Sequence, residues 1–334
     1  MILGIVLGVM VLVLVMGFMM TDNPSTNSEA APRGTVALPP TPTSVPEEAA
    51  PEQPQSTGPS LVWKGCGISK KAFMDAASKS YLESSGVEVK LTGGSATVGI
   101  EAAATGAADI GGTCRGCIDV NQEDLLDLRL TIVAWDALVA ITHPSNSVTS
   151  LTEAQLADIL LGKIKNWSEI GGDDAPITVC ARRGKTSGVG YMVRKLILDD
   201  IVADFGSDSL VFASSGPLEK KVASTPYAIA VTGVSSARVR EGVKIMAIGD
   251  VEPTAENIGS GAYPYYRPLY VAHPPRVNQT TKGFVEWLIS PDGQSVVESQ
   301  GTVTLAQGST LVSSYKHFEN PGIITNYEVL GGSN

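Results

Sequence analysis

Three turns in this chain combine glycine with hydroxyl residues directly before a predicted helix. They are GCGIS (65–69), GGSAT (93–97) and TSG (186–188). The first turn of a helix presents N–H groups that have no partner within the helix, and the helix dipole adds positive potential there. Such turns therefore favour an anion, and the hydroxyl groups supply further donors. Arg183, four residues before Ser187, can add a planar, charged group with several donors.

The same turns would also serve ordinary helix capping, because Ser and Thr are favoured N-cap residues. Three turns of one type together with an arginine favour the anion interpretation over capping alone. Lys70 and Lys185 lie in the same loops and raise the local positive potential. None of the loops contains a recognisable set of nucleophile, base and acid, so the pattern predicts binding rather than catalysis.

The loops belong to a repeating order of strand, turn and helix. Segments 61–86, 87–113 and 175–198 each begin with a short apolar strand, pass through one of the turns and continue as a helix. Strands that alternate with helices predict an α/β fold with mostly parallel strands. In such folds ligands bind at the carboxyl ends of the strands, where the helices begin.

The composition agrees with a folded body and limits its partners. The chain has 334 residues, of which 43% are apolar, and a formal net charge of −10 from 24 basic and 34 acidic residues. The apolar content suffices for a core and excludes a wholly disordered chain. The acidic balance argues against a nucleic-acid partner, which needs a basic face. A few backbone amides and one arginine can still attract a small anion.

The first sixty residues differ from the rest. Residues 1–20 contain no charged or polar side chain, and as a helix they would be about 30 Å long, which matches the hydrocarbon core of a membrane. Residues 21–60 hold nine of the 20 prolines and no aromatic residue, which predicts a disordered linker. We predict a retained transmembrane anchor, with a cleaved signal peptide as the alternative. Either alternative places the body outside the cytoplasmic membrane.

Longer motifs in the body resemble a known family. They include WKGCGIS (63–69), GGSATVGIEAAATGAADIGGTCR (93–115) and LTEAQLADILLGKIKNWSEIGG (151–172). Through these motifs the chain resembles the periplasmic phosphate-binding proteins of phosphate ABC transporters, the PstS type, over about residues 61–310.

The resemblance implies a two-lobed periplasmic-binding-protein fold of type II, in which each lobe is a mostly parallel sheet flanked by helices. One lobe is expected to comprise residues 61–138 and 268–334, and the other residues 139–267. The hinge strands are expected at 137–144 and 267–273.

The resemblance also implies a ligand site, carried over position by position. It comprises Ser69, the amide of Lys70, Ser95, Arg183, Ser187 and Gly188. Cys114 belongs to it too, at a position where phosphate-specific members carry an aspartate that accepts a hydrogen bond from protonated phosphate. Other members have Ser followed by Arg there, so Arg115 is expected to supply a second charged group. Val189 replaces a threonine, which removes a donor and leaves open the preference for phosphate over sulfate, arsenate or a phosphonate.

Four cysteines lie in the body: Cys66, Cys114, Cys117 and Cys180. Outside the cytoplasm a disulfide is the default interpretation, and the first two strands of this family's fold end side by side, which implies a Cys66–Cys114 pair. Cys117 is then free or an alternative partner, and Cys180 is expected to be a small buried strand residue. A metal or iron–sulfur site and a redox-controlled gate stay open as alternatives. One C-x-x-C spacing is weak evidence for a metal, so we predict no metal ligand.

We therefore predict an extracytoplasmic solute-binding protein, not an enzyme, that captures phosphate or a related oxyanion and delivers it to the permease subunits of an ABC transporter. No cofactor is expected besides the anion. The alternative is a membrane-anchored accessory subunit of a larger membrane complex, for example a redox complex, in which the cysteines act as disulfide or metal ligands. A weaker alternative is an anion sensor that signals to a membrane kinase.

Overall fold

The computed structural model describes residues 58–332 of the chain. The predicted anchor 1–20 lies outside the described residues, as does the predicted linker 21–60 except for its last three residues. Within residues 58–332, no helix is both long enough and apolar enough to cross a membrane.

Most of the strands join one mixed sheet. In chain order they are β1 (Ser60–Cys66), β2 (Glu88–Gly94), β3 (Ile110–Thr113), β4 (Arg129–Thr142), β5 (Ser150–Leu151), β6 (Thr178–Arg182), β7 (Leu210–Phe212), β8 (Ala228–Gly233), β9 (Lys244–Ile245), β10 (Ala247–Ile248) and β11 (Tyr266–His273). The large sheet has the order β2-β1-β3-β11-β4-β8-β6-β7, with β9 paired to β4, and β5 pairs separately with β10.

Helices follow most of the strands. They are α1 (Gly67–Ser69), α2 (Asp75–Ser85), α3 (Ala96–Thr105), α4 (Glu153–Leu160), α5 (Gly188–Leu196), α6 (Ser215–Ala223), α7 (Val234–Ala237), α8 (Ala255–Gly259), α9 (Gln279–Ile289), α10 (Pro291–Ser299) and α11 (Leu311–Ser314). A π-helical segment, Lys70–Met74, joins α1 to α2. Short 3-10 turns complete the described chain at Asp119–Asn121, Glu123–Leu125, Trp167–Ile170 and Pro321–Ile323.

Strand direction divides the sheet into two parallel groups. Strand β1 runs parallel to β2 and β3, and β6 runs parallel to β7 and β8. Between the groups, β11 is antiparallel to both β3 and β4, and β4 is antiparallel to β8. The alternation of strands and helices in the sequence predicted an α/β fold, which the structure confirms. The strands are parallel within each group, but the sheet as a whole is mixed because β4 and β11 pair antiparallel with their neighbours.

Strand β4 connects the two groups. Its sequence, RLTIVAWDALVAIT, is apolar almost throughout, and every residue after Arg129 is buried. A strand that is covered on both faces has this continuous pattern instead of an alternating one. Up to Ala137 the strand pairs with β11, and from Leu138 it pairs with β8.

Helix α3 shows how local sequence places a helix start at the edge of the sheet. Ser95 is its N-cap residue, whose Oγ accepts a hydrogen bond from the Val98 N–H at 3.2 Å. A Cβ atom on Gly99 would lie only 2.6 Å from the Gly112 carbonyl oxygen, so glycine is needed for the close approach of α3 to β3. The first turn of α3 consequently lies beside the carboxyl ends of β1 and β3.

Candidate anion-binding site

A cavity of about 240 Å³ lies where β1, β3 and β6 end and where α1, α3, α5 and α6 begin. Several helix N-termini therefore converge on one space. Because the first N–H groups of a helix have no partner inside it and carry positive partial charge, this arrangement favours an anion.

Arg182 contributes a buried positive charge to the cavity wall. It is the last residue of β6 and is 8% exposed. Nη1 donates to Ser215 Oγ at 3.0 Å, and Nη2 donates to the Ala213 carbonyl oxygen at 2.8 Å. Its Nε is buried and finds no hydrogen-bond partner among the described residues. Burial lowers the pKa of this guanidinium below its ordinary value, but an arginine stays charged at neutral pH.

Arg183, the arginine that the sequence predicted for the ligand, is exposed and does not line the cavity. Its backbone N–H donates to the Phe212 carbonyl oxygen at 2.8 Å, which places it beside β7. Successive side chains along a strand point to opposite sides, so one of two adjacent arginines faces the cavity and the other faces away. Lys185, which was expected to raise the local potential, is exposed and pairs with Asp204 at 2.9 Å.

The N-terminus of α5 forms one side of the cavity. Gly188 and Val189, its first two residues, line the space. Ser187 is the half-buried N-cap residue, and its Oγ donates to the Gly184 carbonyl oxygen at 3.4 Å. Within the described structure Ser187 makes no side-chain capping bond to α5, so the first N–H groups of the helix stay available to another acceptor.

The first predicted loop lies partly behind the cavity surface. Ser69 is fully buried, and its N–H donates to Cys66 Sγ at 3.4 Å. The N–H of Lys70 donates to the Gly67 carbonyl oxygen, so this amide is already occupied. Lys71 lines the cavity instead, because neighbouring residues of a helix point in different directions. In the second predicted loop, Ser95 does line the cavity.

Arg115 does not face the cavity. Its two terminal nitrogens form a buried ion pair with Glu123, with 2.7 Å between Nη2 and Oε1. Nε donates to the Thr186 carbonyl oxygen at 3.0 Å, and Nη2 also donates to Thr97 Oγ1 at 2.8 Å. Burial opposes ionisation of Glu123, but hydrogen bonds and charge from Arg115 hold the pKa of that carboxyl below its ordinary value. Glu123, which the sequence did not identify as a partner, therefore neutralises the charge of Arg115. The bond from Nε to Thr186 lets Arg115 hold that loop in place.

The loop that precedes α6 also borders the cavity, although it was not among the predicted loops. Ser214, Ser215 and Gly216 line the cavity, and in the described residues Ser214 forms no side-chain cap to the helix. The sequence pattern of the predicted loops is also present here, since hydroxyl residues and a glycine again stand where a helix begins. Arg240, a second missed cation of the cavity wall, pairs through Nε with the buried Glu219 at 3.2 Å.

All four cysteines are buried free thiols. Cys66 and Cys114 both line the cavity, from the ends of the neighbouring strands β1 and β3, so the structure brings together the two residues that were expected to form a disulfide. The disulfide itself stays a prediction. Burial raises the pKa of Cys117 to about 12 and that of Cys180, in β6, to about 11. Within residues 58–332, no three or more His, Cys, Asp or Glu side chains are grouped so that they could hold a metal ion.

A second buried ion pair lies behind Cys114. Arg267 of β11 and Asp136 of β4 are both fully buried, with 3.0 Å between Nη2 and Oδ2. Arg267 Nη1 also approaches the Cys114 carbonyl oxygen at 3.5 Å. Asp136 Oδ1 accepts hydrogen bonds from the N–H and Oγ of Ser235 at 3.1 and 2.6 Å. The pair joins the central strands to the base of the cavity.

The chain has relatives among known proteins. It matches the family described as the PBP superfamily domain over residues 50–292. It is 34% identical to the phosphate-binding protein PstS of Borreliella burgdorferi over 192 residues, which is 55% of this chain and 68% of that protein. It is 27% identical to the phosphate-binding protein PstS of Bacillus subtilis over 248 residues, which is 73% of this chain and 80% of that protein.

A solved structure shows the same similarity in three dimensions. It is a Clostridium perfringens protein, assigned to a phosphate ABC transporter as its substrate-binding protein and crystallised with bound phosphate. The two chains superpose with a TM-score of 0.67 and are 26% identical. The match covers 73% of this chain and 99% of the other.

Proposed function

Because the chain belongs to the PstS family of phosphate-binding proteins within the PBP superfamily, we propose that it is an extracytoplasmic solute-binding protein. It captures phosphate in the cavity described above and delivers it to the permease of an ABC transporter. The role requires no catalysis and no cofactor, only the bound anion. In this proposal residues 1–20 anchor the protein in the cytoplasmic membrane and residues 21–60 form the tether.

One observation supports an anionic ligand most directly. Arg182 is a buried guanidinium whose Nε has no hydrogen-bond partner in the described chain. Its two other nitrogens meet a hydroxyl and a carbonyl oxygen, which are neutral acceptors. A buried charge is stable only when it is paired. A phosphate between Arg182 and the start of α5 would supply the missing negative charge.

We propose further that two lobes enclose this anion, one formed by residues 61–138 and 268–334 and the other by residues 139–267. The course of β4 supports the division, because this strand changes its pairing partner from β11 to β8 between Ala137 and Leu138.

Hydrogen bonds across the proposed division support closure of the lobes. Arg115 Nε and Thr97 Oγ1, which belong to the first lobe, both donate to the carbonyl oxygen of Thr186 in the second, at 3.0 and 3.4 Å. The Thr186 loop leads directly into α5, so these bonds hold the α5 N-terminus against the first lobe.

Equilibrium dialysis of the full chain against radiolabelled inorganic phosphate tests the proposal. We expect saturable binding with one phosphate per chain. The Arg182→Ala variant should bind phosphate at least about tenfold more weakly, because a charge-assisted hydrogen bond contributes about 1.5–3 kcal/mol.

Arg183→Ala is the matched control, since it removes the same charge one residue further along, at an exposed position. Its affinity for phosphate should equal that of the wild-type protein. Equal affinity in the wild-type and Arg182→Ala proteins, or an equal loss in both variants, would contradict the proposal.

A further inference from the structure

Two thiols lie side by side in the wall of the anion cavity. Cys66 is the last residue of β1, and Cys114 directly follows β3, the parallel neighbour of β1 in which Gly112 lies opposite Gly65. Both cysteines are buried and both line the cavity. Because both side chains line one cavity from the ends of two paired strands, side-chain movement can bring the two sulfur atoms together.

The two thiols differ in their protonation. Burial and the neighbouring negative sulfur raise the pKa of Cys66, which stays a thiol and donates to Cys114. This hydrogen bond, opposed by burial, lowers the pKa of Cys114 to about 6. The charges of Arg267 and Arg115 act in the same direction, and that of Asp136 acts against them. Cys114 is therefore the stronger nucleophile of the pair at neutral pH.

Cys114 also stands next to the ligand space. A Cβ atom on Gly188 would lie 2.5 Å from Cys114 Sγ, so the sulfur borders the first residue of α5. An anion held at that helix start would therefore lie beside this sulfur.

We propose that Cys66 and Cys114 form a reversible disulfide in the cavity wall, and that its formation reduces the preference of the site for oxyanions that carry a proton. The inference rests on the proposed function, because it concerns the selectivity of the same anion site.

The selectivity follows from the charge of the sulfur. In the reduced protein, the Cys114 thiolate accepts a hydrogen bond from an oxyanion that still carries a proton, as phosphate does at neutral pH. Sulfate carries no proton at that pH, so its oxygens meet the thiolate as like charges. A disulfide sulfur is neutral and a weak acceptor, so its formation removes both the hydrogen bond and the repulsion.

The oxidant is a low-molecular-weight disulfide, R–S–S–R. The Cys114 thiolate attacks one of its sulfurs, which forms a mixed disulfide and releases one R–S⁻. The Cys66 thiol then gives its proton to the released thiolate and attacks the Cys114 sulfur, which releases the second R–S⁻. Two electrons pass from the cysteine pair to the oxidant, which ends as two thiols once the second R–S⁻ takes a proton from water.

The experiment compares the reduced and oxidised forms of the full chain. Bis(2-hydroxyethyl) disulfide serves as oxidant, dithiothreitol restores the thiols, and alkylation followed by mass spectrometry identifies which cysteines are free. We expect oxidation to protect Cys66 and Cys114 and to leave Cys117 and Cys180 free. Calorimetric titration with inorganic phosphate and with sulfate should show the phosphate-to-sulfate affinity ratio falling about tenfold on oxidation and recovering on reduction.

Two variants separate the effect of the pair from other effects of the oxidant. Cys114→Ser lacks the attacking thiolate and can form neither the mixed disulfide nor the Cys66–Cys114 disulfide, so its own affinity ratio should be the same before and after the oxidant is added. Cys180→Ser is the matched control, because it removes a buried thiol that does not line the cavity, and it should respond as the wild type does.

Four free thiols after oxidation, or the same affinity ratio in both redox forms, would overturn the inference while leaving phosphate binding intact. Phosphate binding that is missing from both redox forms would instead contradict the proposed function, and the selectivity argument would fall with it.

Discussion

Three buried arginines of this protein, Arg115, Arg267 and Arg182, have partners of two different kinds. Arg115 and Arg267 each meet a buried carboxylate, Glu123 in one region and Asp136 in the other. Arg182 is nearly as buried, yet its terminal nitrogens meet only neutral oxygens and its Nε meets no partner among the described residues.

The difference in partners distinguishes arginines that stabilise the fold from an arginine that is placed to bind an anion. Where a carboxylate of the same chain neutralises the guanidinium, the charge is satisfied in the absence of ligand and the arginine holds elements together. Arg182 borders a cavity, has no carboxylate in direct contact and keeps a buried Nε–H without a partner among the described residues, so an anion in the cavity would complete its pairing. We therefore expect the two regions to respond differently to mutation and to phosphate.

The largest effect is expected from Asp136→Ala, which leaves Arg267 fully buried without its partner. Removal of one member of a buried ion pair typically costs about 3–5 kcal/mol. Urea denaturation should therefore show a loss of this size in the free energy of unfolding. Asp158→Ala, which breaks a pair with the exposed Lys163, is the control and should change stability by less than about 1 kcal/mol. Similar small losses of unfolding free energy in both variants would show that Arg267 does not need Asp136 as its partner.

Glu123→Gln should have a smaller effect, because the amide keeps one acceptor oxygen for Arg115. We expect a loss of about 1.5–3 kcal/mol in the free energy of unfolding at neutral pH. The lowered pKa of Glu123 means that its contribution is complete above its ordinary value of 4.5 and is lost as the pH falls through the folded-state pKa. The difference between wild type and variant should accordingly shrink in acid, and a difference that does not change with pH would argue against the ionised pair.

Gly188→Ala tests whether the ligand of Arg182 lies at the start of α5. The new methyl group would lie 2.5 Å from Cys114 Sγ, so the helix start must move. Overpacking of this kind costs about 1–3 kcal/mol, and calorimetry should show phosphate affinity reduced by about tenfold. Gly216→Ala is the matched control, because its Cβ would meet only Arg240 Nη2 at 3.9 Å. Equal phosphate affinities in the two variants would show that phosphate does not bind at the start of α5.

Arg182→Met should have the smallest effect on the protein without ligand. Since the variant removes a buried charge that has no carboxylate partner, we expect the free energy of unfolding without phosphate to change by less than about 1 kcal/mol. Phosphate at a hundred times the wild-type dissociation constant should stabilise the wild type by about 2.7 kcal/mol and a variant that binds tenfold more weakly by about 1.4 kcal/mol or less. A loss as large as that of Asp136→Ala would show that Arg182 is architectural after all.

The parts that could be predicted from sequence were those that depend on local pattern. Alternating strands and helices predicted the α/β fold, and the turns at 93–97 and 186–188 lie at helix starts that border the cavity. The turn before α6 has the same local signal, because Ser214, Ser215 and Gly216 combine hydroxyl residues with glycine where a helix begins.

The two predicted arginines show where local pattern fails. Whether Arg182 or Arg183 faces the cavity depends on which side of β6 is covered, and spacing along the chain does not show that. Arg115 was expected to supply a second charged group to the ligand, because its ion pair with Glu123 forms only when the intervening loop folds back.

The sequence by itself determined the order of strands and helices, the glycine and hydroxyl turns before the helices and the excess of acidic residues, because these are properties of short segments and of composition. Tertiary structure alone decided which charges stay unsatisfied. A guanidinium is available to a ligand only if folding leaves no carboxylate beside it. That outcome depends on residues distant in sequence: Asp136 lies against Arg267 across two paired strands, while Arg182 lies against the start of α6.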